Sequence, residues 1–104
     1  MQNEIILSHD TEANDVINNS GKVHLRIKQR NGRKSITTIE GLAVNINLQT
    51  LLKNMRQTFQ CGGSIQEIEN EKCIQLFGDQ RMLAKKFLSD NFIIEESNII
   101  IHGY

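Results

Sequence analysis

Cysteine is scarce in this 104-residue sequence: Cys61 and Cys73 are its two examples, and they form no C-x-x-C pair. His9, His24 and His102 stand at no ligand spacing to one another or to either thiol, so no metal site is expected and the thiols read as free and buried. No apolar run approaches the roughly 20 residues needed to cross a bilayer. No basic segment followed by an apolar one marks a secretory signal at the N-terminus. A reduced, cytoplasmic protein without a membrane partner is the expectation. Also missing are a nucleophile beside a base, paired carboxylates and a phosphate-cradling glycine loop, since Gly62-Gly63 lacks the wider pattern. The chain is therefore expected not to be an enzyme and to need no cofactor.

Acidic residues are absent from one stretch, and that absence is informative. Six of the twelve Lys and Arg residues fall between Lys22 and Lys34 with no Asp or Glu among them. The first 21 residues show the reverse, with Glu4, Asp10, Glu12 and Asp15 and no Lys or Arg. A net charge of zero thus hides a separation of charge, and separation says more about partners than the total does. Residues 1–21, with Asn14, Asn18, Asn19, Ser20 and Gly21 and few large apolar groups, are expected to be a flexible acidic tail. Residues 22–104 are expected to form one small domain.

Within that domain, Val23, Leu25 and Ile27 alternate with His24, Arg26 and Lys28, the period-two pattern of a half-buried strand. Asn31-Gly32 follows. An Asn-Gly pair between two strand-like segments predicts a type I′ hairpin turn, because both residues tolerate positive φ. Arg30, Arg33 and Lys34 would then sit on a projecting tip. Ser35 to Leu42 reads as the return strand, with Ile36 and Ile39 out of phase by one residue, which a bulge would reconcile. Asn47 can cap a helix whose apolar positions are Leu48, Leu51, Leu52, Met55 and Phe59. Cys61-Gly62-Gly63 would stop it, with Gly at the left-handed position. Ser64 to Ile68 and Cys73 to Phe77 read as strands joined by the polar turn Glu69-Asn70-Glu71-Lys72. Asp79 would cap a second helix carrying Met82, Leu83, Phe87 and Leu88 on one side. Asn98 to His102, with three consecutive isoleucines, reads as a last strand, central or covered on both faces. The order β-β-α-β-β-α-β with two single-striped helices predicts an α+β fold: a two-layer sandwich, a mixed five-stranded sheet with both helices on one face.

Four strings carry a resemblance. Gln29-Arg30-Asn31-Gly32-Arg33-Lys34-Ser35-Ile36-Thr37-Thr38-Ile39, Phe59-Gln60-Cys61-Gly62-Gly63-Ser64, Ile74-Gln75-Leu76-Phe77-Gly78-Asp79-Gln80-Arg81 and His102-Gly103-Tyr104 occur in one order and spacing. Together they closely resemble the eukaryotic translation initiation factor 1 family, over about residues 22–104. The resemblance implies a factor that binds the small ribosomal subunit near the P site, promotes scanning and enforces AUG selection by opposing premature seating of initiator tRNA. It also implies RNA binding by the hairpin, here Arg30, Asn31, Gly32, Arg33 and Lys34, and by the first helix, here Lys53 and Arg56. The turn Gln60, Cys61, Gly62 and Gly63 would face the initiator tRNA. The segment Gly78, Asp79, Gln80 and Arg81 would bear on fidelity of start-site choice. Partners would be the small subunit through its ribosomal RNA, initiator tRNA in proximity and other initiation factors, with the protein itself a monomer. Typical members carry a lysine cluster on the first helix; Lys53 and Arg56 alone predict weaker electrostatic affinity here.

Two other readings stand beside this one. A ribosome-binding module of the same fold could serve recycling, reinitiation or regulation. A protein adaptor using the open sheet or the helices would bind without regard to hairpin charge.

Overall fold

The alternation read at Val23, Leu25 and Ile27 is realised as a strand, and those three side chains are buried while Arg26 and Lys28 on the other face stay exposed. The computed structural model describes residues 21–30, 32 and 34–103. Within them, β1 (Val23–Gln29), β2 (Ser35–Glu40), α1 (Leu48–Phe59), β3 (Gly63–Ile68), β4 (Glu71–Phe77), α2 (Arg81–Asp90) and β5 (Ile99–Ile101) follow in chain order, a short 3₁₀ turn preceding β5. The strands form one mixed sheet in the order β3-β4-β2-β1-β5, antiparallel except where β1 meets β5. The expected architecture is therefore the one observed. The expected acidic tail lies outside the described residues but for Gly21. No helix among the described residues is long and apolar enough to cross a membrane.

Strand pairing decides which side chains share a face, because partners across a ladder point the same way. Leu25 pairs with Ile39, Ile39 with Ile74 and Ile74 with Ile65, forming an apolar row beneath the helices. Leu51, Leu52 and Met55 of α1 and Ala84 and Leu88 of α2 close the core from above. Burying each large side chain contributes about 1.5–3 kcal/mol. Phe59 and Phe87 meet edge to face between the helices, with ring centroids 5.7 Å apart.

Local expectations fare unevenly. Asn47 caps α1 as its residue type predicts, its side chain accepting from the Thr50 amide at 3.1 Å. The helix ends differently, since Gln60 takes the left-handed position (φ 56°, ψ 51°) expected of a glycine. The neighbouring glycines answer to close packing instead. A Cβ on Gly62 would lie 2.9 Å from the Phe77 ring, and one on Gly63 would lie 2.5 Å from the Gln75 carbonyl oxygen. The first hairpin pairs Gln29 with Ser35, and the Arg30 amide donates to the Lys34 carbonyl at 2.7 Å. The ladder thus closes at Arg30 and Lys34, and the turn expected at Asn31-Gly32 lies partly outside the described residues. Two-residue closure occurs between β3 and β4, where Glu69 and Asn70 both have positive φ and β4 begins at Glu71, two residues before the expected start.

No bulge is needed at Ile36. The ladder runs unbroken from His24↔Glu40 to Gln29↔Ser35, so Ile36 points to the outer face, flanked by Lys28 and Phe77. It is only 8% exposed there. A central strand can bury both faces, which a one-sided apolar pattern does not anticipate. The reverse holds for β5, which is an edge strand rather than a central one. On α2 the buried positions are Ala84 and Leu88, whereas Met82 and Leu83 are exposed.

Gly63→Ala is expected to destabilise the domain by roughly 1–3 kcal/mol, because the added methyl meets backbone that cannot swing aside. Denaturant unfolding would measure it, and an unchanged midpoint would contradict the close-packing account.

Candidate nucleic-acid interface

The first group of candidate residues sits at the end of a ladder. Arg30, Gly32 and Lys34 are exposed where β1 turns into β2, and the Gln29 side-chain amide donates to the Gly32 carbonyl at 2.6 Å. That bond braces the turn from below. Asn31 and Arg33 lie outside the described residues.

The second group forms at the end of α1. Lys53, Arg56, Gln57, Gln60 and Cys61 line an open groove of about 330 Å³. Helical spacing puts Lys53, Arg56 and Gln57 on one exposed side. The left-handed turn at Gln60 then brings Cys61 round beside them, where its amide donates to the Arg56 carbonyl at 3.2 Å. The two basic helix residues and the turn, separate features of the sequence, thus share one wall. Arg56 also suits the negative end of the helix dipole. Burial pushes the Cys61 thiol up, against a smaller opposing effect of Arg56, so this sulfur is not an activated nucleophile.

The third group is held from within. Asp79 does not cap α2, whose cap position is Gln80 and whose first helical residue is Arg81. Asp79 instead holds the Arg81 guanidinium through both oxygens, from Nε and Nη2 at 2.8 Å each. The remaining terminal nitrogen of Arg81 donates to the His102 carbonyl at 2.7 Å. The expected N-cap is replaced because the Asp79 carboxylate has a charged partner in reach, and its contact with the Arg81 amide is a long 3.4 Å.

Thr37 is not marked by any sequence pattern, yet it ties this segment down. Its buried hydroxyl donates to the Gly78 carbonyl at 2.7 Å and accepts from the Gln80 amide at 2.8 Å. The Gly78 amide donates to the Ser35 carbonyl, and the Gln80 side chain reaches back to the Phe77 carbonyl. No periodicity in Ser35-Ile36-Thr37-Thr38-Ile39 signals this role, because Thr serves equally as a β-branched strand former.

His24 and His102 are 78 residues apart, and nothing in their spacing links them. The parallel pairing of β5 with β1 stacks them, Nδ1 to Nε2 at 2.9 Å and ring centroids at 5.1 Å. Such a bond needs one nitrogen protonated and the other bare. Partial burial and, next, Arg26 and His24 push the His102 imidazole down, with Glu40 opposing. On the same outer face of the sheet Arg26 pairs with Glu40 at 3.0 Å.

The three groups meet at one end of the sheet. The Phe77 amide donates to the Gly62 carbonyl, Phe77 pairs with Ile36, and Gly78 bonds to Ser35 next to Lys34. Hairpin, α1 turn and the start of α2 are therefore neighbours. Lys28, Arg30, Lys34, Lys53 and Arg56 make no ion pair among the described residues, in contrast to Arg26, Arg81, Lys85 and Lys86.

The Arg81 bidentate contact holds the Asp79 carboxyl below the usual carboxylate range. In the unfolded chain it titrates near its ordinary value of about 4. The pair therefore stabilises the fold above that value, and its contribution is lost as pH falls through the depressed folded value. Urea unfolding between about pH 5 and 2 should show a shallower acid loss for Asp79→Asn than for the parent at low salt. Parallel curves would mean that the pair adds no pH-dependent stability.

Comparison with known proteins gives the family and the fold. The family described as Translation initiation factor SUI1 matches residues 19–94. A protein translation factor SUI1 homolog of Acanthamoeba polyphaga mimivirus is 44% identical over 106 residues, covering 100% of both chains. Protein translation factor SUI1 of Eremothecium gossypii is 41% identical over 91 residues, covering 86% of this chain and 84% of its own. Among solved structures, the C-terminal domain of human eIF2D shares the fold with a TM-score of 0.67 at 15% identity, covering 75% of this chain and 41% of that one. The chain belongs to the SUI1 family of translation initiation factors.

Proposed function

We propose that this protein binds the small ribosomal subunit near the P site, promotes scanning and enforces AUG selection by opposing premature seating of initiator tRNA. The observation that carries the reading is the gathering, at one end of the sheet beside the Gln60 to Gly63 turn, of cations that have no ion-pair partner among the described residues. Arg30 and Lys34, with Asn31, Gly32 and Arg33, meet ribosomal RNA, and Lys53 and Arg56 extend that contact along the groove. Arg suits such a tip because its fork can bridge phosphate oxygens. The Gln60 to Gly63 turn presents backbone toward the tRNA side. It is stiff, since Gly62 and Gly63 are wedged against Phe77, Gln75 and Leu52.

Gly78, Asp79, Gln80 and Arg81 act indirectly in this scheme. Their polar groups are engaged with Thr37, Ser35, one another and the His102 carbonyl, so they fix the angle of α2 and the hairpin base. The mechanism needs no covalent step. A factor that prefers the open state shifts the equilibrium only by its difference in affinity for the two states. Cations on one side and a rigid turn on the other provide that difference if the closed state displaces the turn. The monomeric state, the cytoplasmic location and contacts with other initiation factors belong to the same proposal.

The test is binding to isolated small subunits, with and without AUG-paired initiator tRNA, at two salt concentrations. Binding should be salt-sensitive and loosened by the AUG complex. Binding indifferent to AUG would favour a module acting in recycling, reinitiation or regulation. Replacing Arg30, Arg33 and Lys34 together by Ala should flatten the dependence of log K on log salt by about 0.7–0.9 for every phosphate no longer neutralised. An unchanged slope would remove the hairpin from the RNA contact.

A further inference from the structure

Phe77 adjoins both candidate surfaces, and it is half exposed on the outer face of the sheet. The ladder sets Lys28, Ile36 and Phe77 in a single row across β1, β2 and β4. At one end of that row begins the hairpin with Arg30 and Lys34; at the other lies the turn at Gly62, whose backbone packs against the Phe77 ring. A Phe placed only to cover the sheet would bury its ring, yet 51% of this residue remains in water. The nearest acidic side chain in sequence, Asp79, is neutralised by Arg81.

We propose that Phe77 is a stacking platform for an unpaired base of single-stranded RNA, with Lys28 and Lys34, both on its hairpin side, placed for the phosphates that lead away from that base. The proposal rests on the RNA-facing reading of the hairpin and adds to it a site for a base. Adjacent strands are about 4.8 Å apart, so Lys28 and Phe77 are separated by roughly 10 Å at the backbone, a gap that one nucleotide and the length of a lysine side chain can fill. An exposed ring amid cations is the arrangement by which sheet surfaces hold single strands: the ring takes the base and the cations follow the backbone. Ile36, buried between Lys28 and Phe77, gives the platform an apolar floor. A protein partner would need an acidic segment to suit the same cations, and the abasic-strand comparison below separates that case from base stacking.

The experiment uses the full chain and a fluorescein-labelled uridine-rich RNA of about twelve nucleotides, a length within the usual site size for such surfaces. Phe77→Leu should weaken binding by roughly tenfold or more, Phe77→Tyr should stay within about twofold of the parent, and the salt slope should be the same for all three. Thermal unfolding of both variants checks that Gly62 still has a ring or its aliphatic equivalent to pack against. Leu and Tyr variants that bind as the parent does would overturn the proposal. So would an RNA with abasic sites that binds as tightly as the intact strand, or no binding of the strand by the parent protein. Hairpin-dependent binding to small subunits that survives any of these results would leave the start-selection reading standing without the base site.

Discussion

The hydroxyl of Thr37 is the point on which the end of the domain that carries the candidate interface depends. It lies fully buried on the central strand, donating to Gly78 and accepting from Gln80, and so joins β2 to the segment between β4 and α2. An unpaired hydroxyl in that place would cost a few kcal/mol, on the order of 1–3. Because both of its bonds go to backbone, the link is set by main-chain geometry rather than by the side chains of the segment. From that link follow the start of α2, the reach of Arg81 to the C-terminal strand and the seat of Phe77 beside Ile36.

Charge is distributed with a similar division of labour. Cations that hold the structure are paired: Arg81 with Asp79, Arg26 with Glu40, Lys85 with Glu96 and Lys86 with Asp90. Exposed pairs of this kind contribute little stability individually, so their effect is chiefly to position side chains. Cations at the hairpin and along α1 have no such partner among the described residues. On the proposed reading they are offered to an anionic surface from a framework of strand and helix that is already formed. That is the condition under which electrostatic attraction is retained as affinity rather than lost to ordering the site.

Strong periodic patterns are legible in the sequence, and close approaches are not. Val23, Leu25 and Ile27 and the stripe of α1 announce their faces because each element is buried on one side. Ile36 misleads because β2 is buried on both, and Met82 and Leu83 because α2 meets the sheet through the small Ala84. Gly62 and Gly63 look like a helix stop, yet they are small because Phe77 and Gln75 press on them from another strand. Where the first hairpin's ladder closes, at Arg30 and Lys34, is set by the β1–β2 register.

The order of elements, the two-layer architecture and the basic character of the hairpin follow from apolar periodicity and from charge, which are properties of local stretches and can be read along the chain. Folding was required to bring Lys53, Arg56, Gln60 and Cys61 into one groove, to set His24 against His102, and to anchor the Gly78 to Arg81 segment through Thr37 and the His102 carbonyl. Contacts between distant segments depend on strand register and helix placement, and one residue of slip would have turned each strand side chain among them to the other face.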